Sequence, residues 1–182
     1  MPNAITGATV SAAQLQSVDL ETAMMMVQSD RANNLEVQLK GQLQAVAQRN
    51  QDIASLNKLM TDLRAMRPSG SDPEKWGNMG ANQQAGRDMY ARVQAAGLTI
   101  PDAAGGDAVN EPGTNIYDAK QKTYDVWIEE IKGKIDSASN SQQMDMLRLQ
   151  SLSNKRNEAF EIMTNFVKKM SDSRGSIVGN MR

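Results

Sequence analysis

The chain has 182 residues, and its 20 Lys+Arg nearly cancel its 21 Asp+Glu, leaving a formal net charge of −1. That length supports one domain with a sizeable core, while the balanced charge argues against nucleic acid or an anionic membrane as a partner, since both select excess positive charge. Cys and His are both absent, which excludes disulfides, thiolate or imidazole metal sites, and Ser-His-Asp or Cys-His nucleophiles.

Residues 1–18 (MPNAITGATVSAAQLQSV) carry no charged side chain and are rich in Ser, Thr, Ala and Gln. They lack the basic start and long apolar centre of a Sec-type signal. Two readings stay open: a frayed terminus, or an uncleaved export leader kept unstructured.

Residues 19–67 read as one helix. Asp19 is a good N-cap and Glu21 suits the positive end of the helix dipole. Apolar positions recur every seven residues at Met25, Ala32, Leu39, Val46, Ile53 and Met60, with an offset set at Leu35, Leu43, Leu56 and Leu63. This heptad pattern is that of a coiled-coil seam, interrupted at Arg49 and Asn50. A helix of about 48 residues would run about 72 Å, too long for a compact domain of this size to wrap.

Residues 68–115 change character. They hold Pro68, Pro73, Pro101 and Pro112 and most of the glycines, so they read as a loop-rich, solvent-facing insertion. One short helix is expected within it, Asn82 to Ala96, with Met89, Val93 and Ala96 on one face and Trp76 and Tyr90 as a small anchor. Asp102, Asp107 and Glu111 do not match the ligand order of a calcium loop and read as solvated acids. Pro68 to Met144 carries 7 basic and 11 acidic side chains, whereas Asp145 to Arg182 carries 7 and 4.

Helix is expected again over residues 116–182. Tyr117, Tyr124 and Ile131 share a heptad position beside Trp127, Ile128 and Ile135. Gly133 and the run Ser137-Ala-Ser-Asn-Ser141 weaken the helix without stopping it. Beyond them, Leu149, Leu152, Ala159, Met163, Phe166 and Met170 alternate by threes and fours, with Arg156 interrupting. Gly175 and Gly179 are expected to end regular helix, yet Ile177, Val178 and Met181 keep the tail apolar, as a docked segment would be.

These elements predict an all-α fold, a long antiparallel coiled-coil hairpin of the terminal helices with a loop-rich central insertion. One hairpin buries one stripe per helix, so Leu43, Leu56, Met146, Phe160 and Val167 form a second stripe that needs a partner. The candidate assembly residues are Leu35, Leu39, Val46, Ile53, Leu56, Met60, Leu63, Leu149, Leu152, Met163, Phe166, Met170, Ile177, Val178 and Met181. No phosphate loop occurs, Glu129 and Glu130 diverge on a helix, and no catalytic, cofactor or metal constellation is found. Lys168-Lys169 reads as dipole complementation.

The run Gln142-Gln-Met-Asp-Met-Leu-Arg-Leu-Gln-Ser-Leu-Ser-Asn-Lys-Arg-Asn-Glu-Ala-Phe160, with Met163-Thr-Asn-Phe-Val-Lys-Lys-Met170 and the ending Gly179-Asn-Met-Arg182, resembles the secreted filament and tip proteins of bacterial type III secretion systems. It is most similar to the Bordetella-type, EspA-like filament proteins, over about the last forty residues. The resemblance implies a secreted, non-enzymatic subunit on the bacterial surface. Such a subunit polymerises with itself into a hollow helical filament, extends the needle, meets translocator proteins and conducts unfolded effectors. A cytoplasmic chaperone would hold the second stripe before export. The alternatives are a closed needle-tip cap and a secreted coiled coil that does not polymerise.

Overall fold

The structure, a computed structural model, describes residues 20–101, 109 and 117–180. The element order is α1 (Leu20–Met66), β1 (Trp76–Asn78), α2 (Gln83–Ala95), β2 (Asp118–Lys120) and α3 (Gln121–Asn180). Predominantly helical character is therefore observed, with the two long helices packed on each other. The chain divides into two compact units: the first from Met1–Val46 and Gln143–Arg182, the second from Ala47–Gln142.

The second unit contains the better-formed core. Leu59 and Leu63 of α1, Met79, Met89, Val93, Leu98 and Ala119, and Tyr124, Trp127, Ile128 and Ile131 of α3 form one buried cluster. This corrects the expectation of a solvent-facing insertion. Met79, Met89, Val93 and Leu98 lie inside residues 68–115 and are buried. The prolines and glycines do forbid a long helix there, but they leave the apolar side chains between them free to pack. Residues 102–108 and 110–116, including the three candidate loop acids, lie outside the described residues.

The all-α expectation also misses a small sheet. β1 and β2 pair antiparallel, with Trp76 opposite Lys120, Gly77 opposite Ala119 and Asn78 opposite Asp118. The pairing explains why α3 begins at Gln121 rather than near Ile116. The Gln121 and Lys122 N–H groups donate to the Lys75 and Pro73 carbonyls at 2.9 and 3.0 Å, so the chain leading into β1 satisfies donors that a helix start leaves open. The buried aromatics are satisfied too. Tyr124 Oη donates to the Gly77 carbonyl at 3.1 Å and Trp127 Nε1 to the Thr99 carbonyl at 2.8 Å. Burial, with Asp118 adding to it, pushes the Tyr124 phenol pKa up.

α2 lies one residue inside each predicted end. Asn82 caps it by accepting from the Ala85 N–H at 2.9 Å. At its other end the Gly97 N–H donates to Gln94 and the Leu98 N–H to Val93, with Gly97 at φ +61°. This is a Schellman motif, in which glycine takes the left-handed position without a Cβ clash and apolar residues flank the turn. Gly86 allows a close approach instead: a Cβ there would lie 2.8 Å from that of Tyr117.

α1 ends where Pro68 follows Arg67, and the Arg67 guanidinium spans Asp125 of α3 with contacts of 2.5 and 2.8 Å. Helix α3 corrects the expected tail break, since helical backbone runs through Gly175 and Gly179 to Asn180. Glycine inside a helix costs about 1 kcal/mol relative to alanine but keeps its N–H, so it weakens a helix without breaking it as proline does.

Candidate assembly surface

In the first unit, the better-buried α1 positions include Met25, Gln28, Ala32, Leu35, Leu39, Gln42 and Val46, with Met26 and Asp30 beside them also half-buried. On α3 they include Asp145, Leu149, Leu152, Arg156, Ala159, Met163, Phe166 and Met170, with Ser153 and Ile162 beside them also half-buried. Both series step by three and four, the spacing of a coiled-coil seam. Arg31 faces Glu158 at 3.8 Å and Gln42 Nε2 donates to Asp145 Oδ1 at 2.8 Å, so the pairing runs antiparallel.

The seam is thin. Of these positions only Ala32, Leu35 and Ala159 are fully buried. Gln28, Gln42, Asp145 and Arg156 place polar groups within it, and Gln28 Oε1 and Arg156 Nε are buried without a hydrogen-bond partner among the described residues. Each such orphan costs roughly 1–3 kcal/mol. Met24, Met25, Ile162, Met163 and Phe166 surround a small residual gap beside Gln28.

Beside the seam lies apolar surface. Met146, Phe160 and Val167 immediately follow the seam residues Asp145, Ala159 and Phe166, and Leu43 follows Gln42. Because the helices run in opposite directions, the step to the next residue turns toward the same side on both. Leu43 and Met146 therefore flank the Gln42–Asp145 contact on one edge, which Phe160 and Val167 extend. Their exposures are 53% (Leu43), 57% (Met146), 46% (Phe160) and 52% (Val167). Met24, Val27, Val37, Met144 and Leu147 add further exposed apolar surface on this unit. The sequence reading passed over Val27, Val37, Met144 and Leu147, although each stands off the heptad seam, a signal that could have found them.

The other predicted residues divide between the units. Leu35, Leu39 and Val46 share the first unit with Leu149, Leu152, Met163, Phe166 and Met170. Ile53, Leu56, Met60 and Leu63 fall in the second, so α1 does not present one seam to one partner segment. Leu56 is a correction to the second stripe. It is half-buried and, like Met60, packs against the second unit's core, where Leu63 is fully buried. Ile177 and Val178 lie on helical backbone, and Met181 lies outside the described residues.

Among the described residues no three Asp or Glu gather as a metal-holding group, and no helix is long and apolar enough to cross a membrane. No protein-family model, curated protein or solved structure matches the chain.

Proposed function

We propose that this chain is a structural, self-assembling subunit of an extracellular type III secretion filament. In this reading the terminal helices form an antiparallel coiled-coil hairpin whose exposed edge packs on a neighbouring copy. A contact between unlike surfaces with a non-closing rotation then propagates as a helical polymer. The secreted location, the needle and translocator contacts, the chaperone and the passage of unfolded effectors come from the resemblance of residues 142–182. The observation that carries the reading is the edge of Leu43, Met146, Phe160 and Val167, each about half exposed beside a seam that buries little on its own. An apolar stripe of this kind marks an interaction surface, and a second copy presents the complementary helical stripe.

Negative-stain microscopy with velocity sedimentation of the purified chain tests this. Tubes that pellet are expected. Uniform closed rings would favour the needle-tip cap, and monomers at all concentrations would overturn self-assembly.

A further inference from the structure

Methionine fills 13 of the 182 positions, and Cys fills none. The thioethers are therefore the chain's only sulfur, and no thiol competes with them for a peroxide. Burial divides them. Met79 and Met89 are enclosed in the core of the second unit, whereas Met144 and Met146 of α3 stand open at 66% and 57% exposed.

These two methionines flank one seam residue. Met144 precedes Asp145 and Met146 follows it, so on a helix they turn to opposite sides of the seam. Met146 joins Leu43, Phe160 and Val167 on the apolar edge, and Met144 does not. Of those four edge side chains only Met146 carries an atom that dilute peroxide attacks. It also sits beside the Gln42–Asp145 contact, where both helices contribute to the edge. A sulfoxide there replaces a pliant apolar thioether with a strong S–O dipole. Packing a neighbouring helix over that oxygen would bury it without a hydrogen bond, which opposes the contact.

We propose that Met146 is an oxidation site through which hydrogen peroxide switches the assembly edge off, an inference that rests on the self-assembly reading above. The sulfur gives an electron pair to one peroxide oxygen, the O–O bond breaks, and the other oxygen leaves as water. Sulfur is oxidised by two electrons and the peroxide is reduced. Methionine sulfoxide reductases reverse the change, as two thiols become a disulfide and the sulfoxide oxygen leaves as water. Met144 takes up the same oxygen on the other side of the helix, without consequence for packing.

Peroxide treatment of the full chain, read by peptide mass spectrometry, sedimentation and circular dichroism, tests the proposal. On the unassembled chain Met144 and Met146 should both become sulfoxides while Met79 and Met89 remain thioethers and helicity is kept. The oxidised chain should need about tenfold more protein to assemble, the scale of one methionine side chain no longer buried. Methionine sulfoxide reductases with dithiothreitol should restore assembly. Met146→Leu should assemble equally before and after the same treatment, whereas Met144→Leu should lose assembly as the unsubstituted chain does. In material assembled before peroxide is added, Met144 should oxidise and Met146 should be spared. The switch is overturned if the Met146 sulfoxide chain assembles normally, or if Met146→Leu gives no protection. It is equally overturned if Met144→Leu protects as well, if both methionines oxidise alike in assembled material, or if helicity falls with assembly. A chain that never assembles, oxidised or not, would instead bring down the self-assembly reading, and the switch with it.

Discussion

At the scale of single residues, stability is concentrated in the second unit. Leu63 is fully buried among aromatics, so Leu63→Ala should cost about 2–5 kcal/mol. Leu152 is only half-buried in the thinner seam, and Leu152→Ala should cost clearly less. Urea unfolding of both variants checks the ranking; equal losses would mean that the seam is as well packed as the core. Two exposed ion-pair clusters contribute to the acid response. Hydrogen bonds from Arg67 hold the Asp125 carboxyl below its ordinary 3.8 against the opposing effect of burial. Hydrogen bonds from Lys120 and Lys122 hold Glu74 below its ordinary 4.5. Depressed carboxylates stabilise the folded state above their ordinary values, and that contribution disappears as pH falls through the depressed ones. The melting temperature should therefore be insensitive to these groups at neutral pH and decline below about pH 4. Asp125→Asn should shallow that decline. An unchanged acid profile in Asp125→Asn would show that screening leaves the pair without effect.

At the scale of elements, what could be read from the sequence depended on how local its cause was. Helix α1 and its end at Pro68 follow from heptad spacing and proline chemistry within a few residues. So do α2 and its Asn82 cap. The β1–β2 pairing could not be read that way. Trp76-Gly-Asn78 and Asp118-Ala-Lys120 carry no alternation long enough to mark a strand, and their partnership is a long-range event. Proline and glycine counts showed where long helix stops but not whether the short segments between them were buried, so Met79 and Leu98 were misplaced outside. The Schellman turn offers a direct check on one such local device. Gly97→Ala forces a Cβ into the left-handed region and should destabilise the second unit by about 1–2 kcal/mol, measured by urea unfolding. No change would mean that the turn relaxes to another conformation.

At the scale of the whole molecule, the candidate surface was legible in part. Leu43, Met146, Phe160 and Val167 were singled out by their offset from the seam, and they are exposed. Leu56 was singled out on the same ground, yet it lies where α1 passes into the second unit and meets α2 and α3. Periodicity locates a face along a helix; it does not say which neighbour that face meets as the surroundings change. The central claim is that the exposed edge is covered by another copy of the chain, and the absence of Cys makes a single labelled position clean to read. Val167→Cys carrying an environment-sensitive fluorophore should shift to the blue and resist an aqueous quencher when the protein assembles into pelletable material. The same label at Asn165→Cys, which precedes the seam residue Phe166 and so stands on the other side of the helix, exposed, should remain quenchable. Assembly that leaves the Val167→Cys label as exposed as the Asn165→Cys label would contradict the account.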